Sequence, residues 1–181
     1  WNNCTVARGQ PRQRSAGYRT ARPLNVTNDK RPCAMAADTT EDGRVIGYSY
    51  AADAMGTIPA HFHRGFVHDP RGQLTQTLSS PQARFGATWA LGTSPDGQHL
   101  AGASAATADT QASQHAAATR FDRDPATGQY TGLVLPLGGG DAGRPTWALA
   151  VNGAGQVLGK AARTVETSDY FVQQGTTAAI W

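Results

Sequence analysis

Thr93-Ser-Pro-Asp-Gly-Gln-His-Leu-Ala-Gly102 holds a turn, a strand and a second glycine, and the pattern occurs three times in the chain. Its counterparts are Thr39-Thr-Glu-Asp-Gly-Arg-Val-Ile-Gly47 and Val151-Asn-Gly-Ala-Gly-Gln-Val-Leu-Gly159. Each places a glycine (Gly43, Gly97, Gly155) where a tight hairpin needs positive φ, so the flanking segments pair antiparallel. Late in the strand that follows stand Gly47, Gly102 and Gly159, positions that mark a β-bulge or a close approach between neighbouring sheets.

Upstream, Thr88-Trp-Ala-Leu and Thr146-Trp-Ala-Leu stand at the same distance before their turn glycines. Downstream, Arg64-Gly-Phe-Val-His-Asp-Pro-Arg-Gly-Gln-Leu74 resembles Thr119-Arg-Phe-Asp-Arg-Asp-Pro-Ala-Thr-Gly-Gln-Tyr130, an apolar strand, an Asp-Pro turn and another strand. The unit is therefore four strands, placed in the second copy at 88–93, 98–105, 115–122 and 129–136. Segment 106–114, rich in Ala, Thr, Ser and Gln, reads as an exposed loop. Counted from Gly159, Ala179-Ile-Trp181 falls where Phe66-Val67 and Phe121 fall, so a third unit has three strands and no room for a fourth.

Composition agrees with this pattern. Of 181 residues 21 are glycine, 10 proline and only 16% charged, and the apolar runs are short. Ala83–Thr93 is about half the length a spanning helix needs. A lone four-stranded sheet this small cannot bury both faces, so successive sheets stack. The expected fold is all-β, with repeated four-stranded antiparallel sheets in a β-propeller-like array of about three blades, partial or closed by association. Its expected divisions are a basic leader (1–33) and repeats at 34–87, 88–145 and 146–181, with Trp89 and Trp147 filling the gaps between sheets.

Three stretches resemble the HAF-type repeats of bacterial extracellular proteins: Val151–Gly159, Ala178-Ala-Ile-Trp181 and Leu135-Pro-Leu-Gly-Gly-Gly140. The resemblance covers roughly residues 34–181, and the second copy departs from it by one extra residue before Gly102. It implies secretion or surface display and a propeller-like fold, and it supplies no catalytic residues.

Residues 1–33 hold seven basic groups against one acid, a balance of +6, whereas the remainder holds nine basic and twelve acidic groups, a balance of −3. Arg8, Arg12, Arg14, Arg19 and Arg22 thus form a candidate contact for an anionic partner such as lipopolysaccharide or an acidic polysaccharide. Nucleic acid is disfavoured because the repeats are themselves net acidic. Part of the leader is expected to complete the last sheet or to join a neighbouring chain. The chain opens on tryptophan without a signal peptide, which reads as a processed or excised piece.

Cys4 and Cys33 are the only cysteines; a bridge between them would restrict the unfolded chain by about 3–4 kcal/mol and implies an oxidising compartment, extracellular, cell-surface or periplasmic. His61 and His63, two apart on a strand and near His68, could hold zinc or copper if Asp53, Asp69 or His115 folded close. Neither Ser49 nor Ser104 lies in a Gly-x-Ser-x-Gly elbow, and Gly138–Gly140 lacks the Lys-Ser/Thr of a phosphate loop. Asp69 and Asp124 are expected to bond their own turns, with calcium as the alternative. Two functional readings follow. One is a non-catalytic module contacting protein subunits or surface glycans and able to form a homo-oligomer; the other is a metal-binding, lectin-like or hydrolytic domain using His61 and His63.

Overall fold

The computed structural model describes residues 33–50, 63–69, 71, 74–80, 87–105, 115–136, 144–162 and 176–181. The leader, its five candidate arginines, Cys4, Asp53, His61, the loop 106–114 and Gly138–Gly140 lie outside the described residues. Strands β1 (Cys33–Thr39), β2 (Val45–Tyr50), β3 (Arg64–Asp69) and β4 (Leu74–Thr77) form the first antiparallel sheet, in that order. The second holds β5 (Thr88–Thr93), β6 (His99–Ser104), β7 (Ala117–Arg123) and β8 (Tyr130–Val134), each within two residues of its expected bounds. The third holds β9 (Thr146–Val151), β10 (Val157–Ala162) and β11 (Thr176–Ile180), in the order β11-β10-β9. The protein is all-β, and among the described residues no helix is long and apolar enough to cross a membrane.

The turn glycines behave as the sequence requires, with φ of 84° at Gly43, 67° at Gly97 and 76° at Gly155. In each hairpin the glycine N–H donates back across the turn: Gly43 to Thr40 O at 2.9 Å, Gly97 to Ser94 O at 2.9 Å and Gly155 to Asn152 O at 3.0 Å. The Asp-Pro turns also bond themselves as expected, Arg71 N to Asp69 Oδ1 at 2.9 Å and Ala126 N to Asp124 Oδ1 at 2.8 Å.

The strand glycines mark bulges, but the close approach is inside a sheet rather than between sheets. Register slips between Ala36 and Asp38 in β1, between Ala90 and Gly92 in β5, and by one residue between Ala148 and Ala150 in β9. Opposite each slip stands a glycine, because a Cβ there would lie 1.9 Å from Met35 O (Gly47), 1.9 Å from Trp89 O (Gly102) or 2.1 Å from Trp147 O (Gly159). The approach between sheets falls to other glycines: Gly92 lies against the Leu149 carbonyl, and Gly65 against the Trp89–Ala90 backbone. One alignment also needs correction. Gly47 pairs with Phe66, Gly159 with Ala179 and Gly102 with Thr119, so Phe121 sits two residues beyond the position given to it by counting.

Alternation along the strands gives every sheet two faces, and the sheets stack with one polarity. Ile46, Val67 and Leu78 of the first sheet meet Ala90, Leu100, Phe121 and Tyr130 of the second. Ala101, Ala118 and Leu135, on the opposite face of the second sheet, meet Ala148, Val151 and Val157 of the third. The front of one sheet thus covers the back of the next. A row of rings crosses all three: Tyr48 to His63 at 5.6 Å, His63 to Trp89 at 5.4 Å and Trp89 to Trp147 at 5.1 Å, edge to face. Trp89 is buried, as a gap filler should be, and Trp147 is half-buried beside it.

Threonines hook the sheets together. Gly65 N, lying beyond the end of the β3–β4 ladder, donates to Thr88 Oγ1 at 2.9 Å, and Thr88 Oγ1 donates in turn to Leu78 O at 3.2 Å. One sheet further on, Ala118 N donates to Thr146 Oγ1 at 2.7 Å. The backbone repeats too, Thr88 N reaching His63 O at 3.3 Å and Thr146 N reaching Ala116 O at 2.8 Å.

Replacing Gly102 by Ala forces a methyl onto a carbonyl within its own sheet, and urea unfolding should show a loss of about 1–3 kcal/mol. Gly153, with nothing within 4 Å of an added Cβ, is the control. Gly153→Ala should stay within about 0.5 kcal/mol of wild type.

Candidate functional site

The polar side chains gather where the first hairpins of the three sheets lie, held there by turns of common design. Thr40, Ser94 and Asn152 open these turns, and their N–H groups bond to Arg44 O (3.0 Å), His99 O (2.9 Å) and Gln156 O (3.1 Å). Glu41 N also donates to Pro95 O at 3.0 Å, so the first turn touches the second directly.

Two arginine clusters bridge consecutive sheets. Arg44 Nε lies 3.0 and 2.9 Å from the two carboxylate oxygens of Asp42, and Arg44 Nη1 donates to Tyr130 Oη at 2.8 Å. Tyr130 Oη then donates to Gly97 O at 2.6 Å, carrying the contact from the first sheet to the second sheet's turn. The Thr40 hydroxyl also bonds Asp42, and Arg71 bonds the Asp42 carbonyl. In the second cluster, Arg120 Nε and Nη2 hold Asp122 at 2.8 and 2.9 Å while Nη1 donates to Gly155 O at 2.9 Å, in the third sheet's turn. His99 Nδ1 meets Asp122 Oδ1 at 2.7 Å.

Charge and burial set the protonation of these groups. The Arg44 guanidinium, aided by the Thr40 hydroxyl, outweighs desolvation and holds the Asp42 carboxyl at about 2, below the ordinary 3.8. Burial alone would weaken the charge on Arg44, but the bonds to Asp42 and Tyr130 reverse this and raise its pKa. Burial raises the Tyr130 hydroxyl above 10.0 against the pull of Arg44. Burial also pushes Asp122 upward, and the bonds from Arg120 and His99 more than offset it, leaving the carboxyl below its ordinary range.

Of the histidines proposed as metal ligands, the described residues include His63 and His68 but not His61. His63 lies between the Tyr48 and Trp89 rings, whereas His68 is buried, with Nδ1 2.8 Å from Thr75 Oγ1 on the neighbouring strand. Five residues apart along an extended strand, they belong to opposite faces. Among the described residues no group of three His, Cys, Asp or Glu side chains is placed to hold a metal ion. Asp69 is occupied with its own turn, and His115 is exposed. Ser49 and Ser104 are buried, the former donating to Arg64 O and the latter bonded to Thr119 Oγ1 at 2.7 Å.

Sequence reading missed Asp42, Arg44, His99, Arg120, Asp122 and Tyr130. The available signal was the spacing of two in Arg120-Phe-Asp122, which on extended backbone puts acid and base on one side, while Asp42 and Arg44 flank the turn glycine Gly43. No protein-family model, curated protein or solved structure matches the chain.

Asp42 contributes stability that is complete above its unfolded value of 3.8 and is lost as pH falls through about 2. The side chain is 49% exposed, so screening reduces its contribution to about 1 kcal/mol. Asp42→Asn should therefore be about 1 kcal/mol less stable than wild type near neutral pH, with the difference vanishing at about pH 2 in urea titrations. Tyr130→Phe leaves Gly97 O and one arm of Arg44 without their partner, and the expected loss is about 1–2 kcal/mol by the same measurement.

Proposed function

We propose that the chain is a non-catalytic, extracytoplasmic repeat module of β-propeller-like architecture, acting through assembly and surface contact with protein subunits or glycans. The observation that carries this reading is the use made of the charged side chains. Arg44 with Asp42 and Tyr130, and Arg120 with Asp122, fasten one sheet to the turn of the next, so their hydrogen-bonding capacity is spent on the stack. Chemistry on a substrate would need such groups to be directed at an open cleft.

The propeller-like arrangement draws support from the common polarity of the sheets and from their order of packing. Successive first strands β1, β5 and β9 neighbour one another, as the inner strands of blades do. The HAF-type resemblance of residues 34–181 argues in the same direction for secretion and display. The basic leader adds the partner chemistry: Arg8, Arg12, Arg14, Arg19 and Arg22 suit an anionic surface glycan.

Cosedimentation of the purified chain with an insoluble acidic polysaccharide tests the reading. Binding should weaken steeply with added salt and fall about tenfold or more when the five arginines are changed to Gln. A chain that pellets with no glycan but retains stoichiometric zinc or copper after dialysis, and loses it in His63→Ala, would establish the metal-binding alternative instead.

A further inference from the structure

Repetition lets each position in one sheet be compared with its equivalent in the next. Ile46, the residue before Gly47, pairs with Val67, and the two are 0% and 5% exposed beneath the second sheet. Leu158, the residue before Gly159, pairs with Ile180 in the same way, and these are 51% and 81% exposed. Leu149, the extra residue of the β9 bulge, is 43% exposed in the same sheet. The third sheet therefore presents to solvent the apolar positions that the first buries against its successor.

The backbone shows the same interruption. Gly65 pairs with Tyr48, Ala118 with Ala103 and Ala178 with Lys160, which makes the three equivalent. The N–H groups of Gly65 and Ala118 are taken by the hydroxyls of Thr88 and Thr146. Trp181 and Val157 exchange both backbone bonds, at 3.0 and 2.9 Å, and from that pair the antiparallel alternation turns Ala178 N–H away from β10. It faces the side from which a threonine of a following sheet would come.

We propose that the front of the third sheet, Leu158 and Ile180 with Leu149 beside them, is a docking face for one further sheet of this same repeat. That sheet opens on a strand of the Thr-Trp-Ala-Leu type, and its threonine hydroxyl accepts the Ala178 N–H. The face continues an interface that the chain builds twice already, with the same polarity and the same hook. The first sheet of a second copy does not fit the part. Its residue at the hook position is Ala34, paired with Ser49 as Thr88 is with Ser104, and alanine has no hydroxyl to offer. Its back face is also filled within the chain, since Phe66 and His68 are 3% and 5% exposed.

The inference rests on the assembly reading above and is tested separately from it. The full chain is extended after Trp181 by a copy of Asp122–Trp181, which stays in register because Ile180 stands at the position of Arg120. Exchange of the Ala178 amide should slow about tenfold or more in the extended chain and return to its original rate when the appended copy carries Thr146→Val. Ile180→Asp should lower the urea midpoint of the extended chain and leave that of the unextended chain unchanged. An Ala178 amide that exchanges equally in both chains, or an Ile180→Asp effect equal in both, would overturn the proposal. So would self-association of the unextended chain that Ile180→Asp abolishes, which would make a second copy the occupant. Failure here with polysaccharide binding intact removes the docking face alone and leaves the reading of the module standing.

Discussion

An antiparallel ladder that stops leaves a donor with no partner, and the stack depends on how that donor is satisfied. Beyond the ends of the β3–β4 and β7–β8 ladders, Gly65 N and Ala118 N emerge next to an apolar interface where water is not at hand. Left alone, each would cost about 1–3 kcal/mol. Thr88 and Thr146 meet them with a hydroxyl from the first strand of the next sheet, so the completion of one sheet's backbone requires its successor. Hydrophobic burial drives the sheets together without direction; this bond fixes which sheet, which face and which register.

The bulges follow from the same demand. In the second and third sheets the first strand both pairs with its own second strand and reaches back to the preceding sheet, and one extra residue in β5 and β9 bends it to do so; β1 carries the same bulge. The cost is a carbonyl driven toward the partner strand. Only glycine leaves room for it, which is why Gly47, Gly102 and Gly159 recur although none has the positive φ of the turn glycines. Gly102 keeps its place despite the extra residue in its hairpin, so the constraint is set by the carbonyl and not by distance from the turn.

Much of the fold was legible in the sequence because its determinants are local. Turn glycines, alternation and the Asp-Pro turns act within a few residues, and they placed the four strands of the second sheet to within two residues. The errors arose where a local reading was extended through space. Gly102 reads in sequence as a bulge or an approach between sheets; the bulge is there, and the atom that Gly102 avoids belongs to Trp89 on the adjacent strand. Thr88-Trp-Ala-Leu was noticed for its tryptophan, whereas the threonine forms the bond that orders the stack. The arginine clusters were overlooked since each joins residues far apart in the chain: Arg44 finds Tyr130, and Arg120 finds Gly155. His63 and His68 stand on opposite faces of the strand, and His61 lies outside the described residues.

A stack with a single polarity has consequences for where activity can reside. Its interior is committed to aromatic and small apolar contacts, with side chains such as Trp89 and Ala90 locked between sheets, and its turn end is committed to ion pairs that hold adjacent hairpins. Change in either place weakens two sheets at once. The turns 40–44, 94–99 and 152–156 share in that commitment, since Asp42, Gly97 and Gly155 lie in them. Among the described residues the same polarity leaves the front of the third sheet apolar, with Leu158 and Ile180 exposed at the positions where the first sheet buries Ile46 and Val67.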